Sequence, residues 1–152
     1  MKLAPIYAIV LGIIAGVAIG IGAYTFAYAK GWSYLTDDAA ACANCHVMRE
    51  QFDGWLKSSH RAVATCNSCH TPHNIFGKYL TKASNGFWHS FFFTTGGYED
   101  NIQIKPHSRE ITEQACRTCH GEIVDAIEPS HPSSAAGQLA CLSCHNSVGH
   151  LH

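Results

Sequence analysis

Apolar positions are spread very unevenly along this chain, and the unevenness alone predicts two dissimilar parts. From Leu3 to Ala29 the sequence runs for 27 residues without a charged side chain, bracketed by Lys2 and Lys30. At 1.5 Å per residue about 20 helical residues cross the hydrocarbon core of a bilayer, so this run predicts one membrane-spanning helix. Ala27-Tyr28-Ala29 resembles a secretory cleavage site, but an apolar signal core is only about 7–15 residues long. The anchor reading prevails, and residues 1–30 are expected to form it. Gly12, Gly16 and Gly20 fall on one face of that helix, a spacing that suits close helix–helix approach and self-association.

Beyond residue 30 few long periodic runs occur. Short helices and loops with little regular structure of their own are therefore expected. One stretch stands apart. Between residues 54 and 98 there is no Asp or Glu, while Lys57, Arg61, Lys78 and Lys82 are present and Phe76, Tyr79, Phe87, Trp88, Phe91, Phe92 and Phe93 crowd its latter half. Aromatic rings interleaved with Lys suit a membrane–water interface. They also suit a pocket for a hydrophobic, ring-shaped substrate. Lys78 and Lys82 have helical i,i+4 spacing and share one face.

Composition sharpens this picture in two ways. Ten Lys plus Arg against eleven Asp plus Glu leave a net charge of −1, which excludes a basic nucleic-acid surface and an acidic tail. Eight Cys and 11 His in 152 residues direct attention to metal or cofactor chemistry. All eight cysteines lie after residue 30, as four CxxC pairs each followed directly by His. The first is Cys42 and Cys45 with His46, the second Cys66 and Cys69 with His70. The third is Cys116 and Cys119 with His120, the fourth Cys141 and Cys144 with His145. CxxCH is the attachment signature of c-type haem: two thiols bond the macrocycle and the adjacent imidazole falls beneath the iron. Zinc pairs do not need a His after the second Cys. With 11 His in 152 residues, four such neighbours by chance have odds of roughly three in 100,000, so covalent haem wins over zinc and disulfides.

Four macrocycles also account for how so short a domain is held together. A chain of this length buries only a modest side-chain core. The expected fold is a multihaem cytochrome c: one N-terminal transmembrane helix, then a small helical and loop domain over 31–152 wrapped around four covalent haems. Motif spacings of 24, 50 and 25 residues predict two dihaem halves, about 38–98 and 99–152. Because haem c is attached outside the bacterial cytoplasm, the domain is expected in the periplasm and the N-terminus in the cytoplasm.

Each iron needs a second axial ligand. Ser59-His60 and Ser130-His131 recur between the motifs of each half, and His150 follows the fourth, so His60, His131 and His150 are the candidate distal ligands. His73 follows His70 too closely to reach the opposite face of the same haem; His107 and His152 have no assigned role. The first motif continues to Met48, a soft ligand two residues beyond His46. Two groups so close on one backbone segment do not bind opposite faces, so either His46 or Met48 ligates the first iron. Within the acid-free stretch Lys82 and His89 are the polar residues suited to quinol oxidation. A Lys orients a quinol oxygen or stabilises developing negative charge, and a His accepts a proton near neutral pH.

An apolar N-terminal run, four CxxCH sites, a Met two residues after the first and a Lys-bearing segment after the second resemble the NapC/NirT family of tetrahaem quinol dehydrogenases over essentially the whole chain. The brevity and the stretch from Lys82 to Ser90 look most like the small subunits of ammonia-forming nitrite reductases. The resemblance implies that menaquinol is oxidised near haem 1, that Met48 is its proximal ligand and that Lys82 lines the quinol site. It also implies haem-to-haem transfer into a periplasmic multihaem nitrite reductase, with a partner Lys able to serve as an axial ligand. There is one departure. Family members often carry an Asp three residues after a Gly, and here His89 holds that place after Gly86. It accepts protons in the Asp's stead, or it ligates the iron and closes the site. A different periplasmic reductase as client, or a tethered electron carrier without a quinol site, are the alternatives. Residues 99–128 hold seven acids against three bases, which reads as a solvated surface before a docking face.

Overall fold

The structure is a computed structural model that describes residues 4–99, 101–128 and 139–150; His131 and His152 lie outside the described residues. The chain divides into two units, 1–33 and 34–152. The first is α1, Ala4–Tyr28, with a window of mean hydropathy 2.4 and none of that window buried. Ile6, Leu11, Ile19 and Tyr24 all stand exposed along it, an apolar surface that water does not tolerate and lipid does. Open space surrounds Gly12, Gly16 and Gly20.

The second unit is all helix and turn among the described residues. In order come α2 (Ala39–Cys42), α3 (Arg49–Lys57), α4 (Cys66–His70), α5 (Ile75–Thr95), α6 (Pro106–Cys119) and α7 (Gly121–Ile127), with 3-10 turns at Gly31–Leu35, His46–Met48 and Cys141–Ser143. Local chemistry sets the ends. Asp38 caps α2, accepting the Ala40 N–H at 2.9 Å. Thr65 and Ser68 close a capping box on α4. Asn74 accepts from the Gly77 N–H at 2.7 Å to start α5, and Gly96, at φ 71, ends it in the left-handed conformation that glycine adopts without strain. Pro106 opens α6, where a missing N–H costs nothing.

At 21 residues α5 is longer than the short helices the sequence pattern suggests. The reason is visible in its composition: aromatic residues occupy most of its faces, so its apolar positions trace no single stripe and the helical period is masked.

Between the halves, α4 packs most extensively on α6, which joins the second motif to the third in one body. The side-chain core is thin. Among the described residues the buried apolar side chains are Ala39, Ile111, Ala115 and Val124. Four residues of that size do not hold a domain of this length folded. Two acids of the 99–128 segment work inside the fold: Glu113 accepts the N–H groups of Cys141 and Leu142 at 2.8 and 3.0 Å, and Glu128 pairs with Arg117. The fourth motif is thereby tied to α6. Glu113→Ala should leave both amides without that acceptor and lower stability by about 1–3 kcal/mol, read as an earlier denaturant midpoint of the holoprotein.

Candidate functional site

Capped by Asp38, α2 delivers Cys42, and the turn His46–Met48 leads directly into α3. His46 is exposed and Met48 half-buried. Across from this motif runs one side of α5. Lys82, Gly86, His89 and Phe93 recur at steps of four, three and four residues and therefore share a helical face. Phe93 meets the His46 ring edge-on, with centroids 5.8 Å apart. Gly86 admits Tyr34 to close range: a Cβ there would stand 3.4 Å from the ring. The Tyr34 hydroxyl is pushed up to about 12, first by burial and then by the Cys45 and Cys42 thiols.

Lys82 occupies the centre of this face and is only 6% exposed. Its Nζ donates to the Thr36 carbonyl at 2.7 Å and to Asp37 Oδ1 at 2.8 Å, and it lies 5.6 Å over the Tyr79 ring. Lys78 donates to the other carboxylate oxygen, and Asn67 Nδ2 reaches Asp37 Oδ1 and the Thr36 carbonyl at 3.2 Å each. Hydrogen bonds from Lys78 and then Lys82 hold the Asp37 carboxyl at about 2, below its ordinary 3.8. The Lys82 charge also reaches the Cys42 thiol. The sequence marks Lys82 as a candidate and not Asp37, which lies outside the acid-free stretch that draws attention to Lys82. Asp37 comes from the segment before the first motif, 45 residues upstream.

His89 is surface-accessible. Desolvation, followed by the Lys105 charge, lowers its affinity for a proton. Beside this face, Phe87 stacks on Phe91 and Trp88 on Phe92, while Phe76 and Leu80 are open to the surroundings.

The four thiol pairs lie in chain order, and no cysteine is joined to another by a disulfide. Cys42 and Cys66 lie close enough to interact, which lowers the Cys42 thiol and pushes the Cys66 thiol up. Cys69 feels Cys119, Cys116 feels Cys69, and Cys141 feels Cys116. Neighbouring motifs are therefore neighbours in space throughout. The two thiols of a pair differ in their surroundings. Cys45, Cys119 and Cys144, the second thiols of the first, third and fourth motifs, are exposed, whereas Cys42, Cys66, Cys69, Cys116 and Cys141 are half-buried. Cys144 closes the turn Cys141–Ser143, its N–H donating to the Cys141 carbonyl at 3.2 Å. That turn sets both thiols of the fourth motif on one short stretch of backbone, with Cys144 outermost and open to a macrocycle. The sequence treats Cys141 and Cys144 as equivalent, and the structure does not: Glu113 fixes the Cys141 amide, while the Cys144 amide closes the turn it ends.

Two motif imidazoles face a second imidazole. His120 stands 6.1 Å from His60 and His70 stands 6.0 Å from His150, centroid to centroid. Metal–nitrogen bonds of about 2 Å, extended by the radius of each ring, place two imidazoles on opposite sides of one metal with centroids roughly 6 Å apart. The residues fit an iron between each pair. The free nitrogens are anchored as well, His150 Nδ1 to the Gln51 carbonyl at 2.8 Å and His60 Nδ1 to the Val148 carbonyl at 3.3 Å, the outer bonds that orient metal-binding imidazoles. Burial, then His150, lowers the proton affinity of His70 and favours the neutral, ligating form. His73 instead bonds the Ser68 carbonyl at 2.9 Å. Among the described residues no three His, Cys, Asp or Glu side chains converge into a metal cage.

A family model for the NapC/NirT cytochrome c family, N-terminal region, matches residues 4–152. The chain belongs to this family. It is 34% identical over 146 residues to the cytochrome c-type protein NrfH of Wolinella succinogenes, covering 91% of this chain and 82% of that protein. The cytochrome c nitrite reductase subunit NrfH of Nitratidesulfovibrio vulgaris is 28% identical over 139 residues, with the same coverage of each. Among solved structures, a chain of the cytochrome c nitrite reductase NrfHA complex bound to the HQNO inhibitor superposes with a TM-score of 0.64 at 27% identity, covering 90% of this chain and 88% of that one. Membership makes this NapC/NirT chain a c-type cytochrome with covalently bound haem, anchored in a membrane by α1.

Replacing His150 or His60 by Ala should remove one axial ligand each. One haem should then turn high-spin in the optical and EPR spectra while the His120–His60 or His70–His150 pair left intact keeps its low-spin signal.

Proposed function

We propose that this chain is the membrane-anchored menaquinol dehydrogenase subunit of an ammonia-forming nitrite reductase, delivering electrons through four c-haems to a periplasmic catalytic subunit. The observation that carries the reading is the buried Lys82 ammonium, held by Asp37 and Thr36 beside the first attachment motif. A bare electron carrier has no use for a desolvated cation there, whereas a substrate that must lose protons does. The likeness to NrfH, and to NrfH within the NrfHA complex, supports nitrite reductase as client over other reductases. Nitrite chemistry then belongs to the partner. The comparisons lend no support to self-association through Gly12, Gly16 and Gly20.

In this reading Cys42 with Cys45, Cys66 with Cys69, Cys116 with Cys119 and Cys141 with Cys144 each hold one macrocycle. His70 with His150 and His120 with His60 would hold the second and third irons, His145 would serve the fourth, and Met48, with His46 turned against Phe93, would serve the first. Haem held at these motifs would supply one-electron acceptors. This chain's own residues handle the quinol. Exposed rings of α5 receive a flat apolar substrate, Lys82 orients its oxygen and offsets the negative charge that grows on deprotonation, and His89 stands two turns along the same helical face. α1 spans the cytoplasmic membrane with its N-terminus inside and the haem unit in the periplasm.

Lys82→Ala should slow haem reduction by a menaquinol analogue about a hundredfold or more while dithionite still reduces every haem. An undiminished quinol rate would favour the bare carrier. Met48→Leu should perturb one haem in the optical spectrum and leave the other three; silence of all four would assign the first iron to His46.

A further inference from the structure

Lys82 is the dry end of a pair whose other end meets water. Its side chain is 6% exposed and that of Asp37 is 49% exposed. An ammonium carries three N–H groups. Two are directed at Thr36 and Asp37, and no side-chain or backbone oxygen among the described residues accepts from the third, the one an incoming oxygen would meet. The carboxylate is fixed rather than loosely placed, with Lys82 and Asn67 on Oδ1 and Lys78 on Oδ2. α5 itself offers no acid, since none occurs between residues 54 and 98.

We infer that Asp37 is the carboxylate through which the Lys82 site empties its protons to water. The inference deepens the quinol-oxidising reading and rests on it. A bound quinol gives an O–H proton to the Lys82 nitrogen as that nitrogen passes one of its own to Asp37. One O–H and one N–H bond break, one N–H and one carboxyl O–H form, and the ammonium ends as it began. The half-exposed carboxyl then releases the proton to solvent. Two such passes, each accompanied by an electron leaving to covalent haem, convert quinol to quinone. Lys78, on the second oxygen, favours the ionised carboxylate between passes, so Asp37 is ready to accept and does not retain what it receives.

The test uses the full-length holoprotein in mild detergent with a menaquinol analogue. Asp37→Asn keeps the size of the side chain and removes its basicity. Haem reduction should slow about tenfold or more, dithionite should still reduce all the haem, and binding of a quinone analogue, followed by fluorescence quenching, should be unchanged. Added formate should restore the rate, since a small carboxylate supplies the missing acceptor, and Asp37→Glu should keep most of it. Asp38→Asn, whose side chain caps α2 instead, should behave as wild type. A wild-type rate in Asp37→Asn, no rescue by formate, or lost analogue binding would each overturn the relay, the last by showing that Asp37 only holds Lys82 in place. If the wild-type protein itself accepts no electrons from the quinol, the functional reading falls and the relay with it.

Discussion

The constraint on which everything else rests is the shortage of interior. A unit spanning residues 34–152 whose buried apolar side chains, among those described, are Ala39, Ile111, Ala115 and Val124 has no core in the usual sense. What organises it is the geometry of attachment and ligation. Neighbouring motifs lie close together, α4 carries the second motif against the α6 that carries the third, and imidazoles face one another across gaps of about one metal ion. Helices here are brackets. They end at the motifs, as α2, α4 and α6 do, and what they bracket is the cofactor that family membership assigns to the chain.

Charge is deployed as sparingly as apolar burial. Arg117 and Glu128, with Glu113, secure the fourth motif, and Asp37 with Lys78 and Lys82 secures the first. These two groups differ in kind. The first satisfies backbone amides and an ion pair at half-exposed positions, where removal of a partner costs modest stability. The second holds a lysine ammonium almost wholly out of water, an arrangement that is expensive unless its donors are met. Such a residue is poised to respond to whatever enters beside it.

Much of this was legible in the chain alone, for reasons specific to each residue. CxxCH is a local signature, so membership of a c-type cytochrome family needed no tertiary information, and 27 uncharged residues announce α1 by length. Lys82 was legible because a cation inside an aromatic, acid-free run is conspicuous. Asp37 was not, because its role depends on a contact across 45 residues, and nothing in Leu35-Thr36-Asp37-Asp38 marks one acid as a helix cap and the other as a partner for lysine. The length of α5 was hidden by aromatic residues on nearly every face. Which imidazole opposes which was also beyond sequence: His60 and His150 were candidate ligands, but their pairing with motifs of the opposite half is a fact of tertiary structure.

That crossed pairing has a bearing on how the fold is closed. His60 lies in the first half and meets the third motif, while His150 lies in the second half and meets the second. Each half therefore lends an imidazole to the other, and neither is a finished module by itself. The two are laced together in both directions, so a disturbance at either crossing is felt on both sides of the lacing.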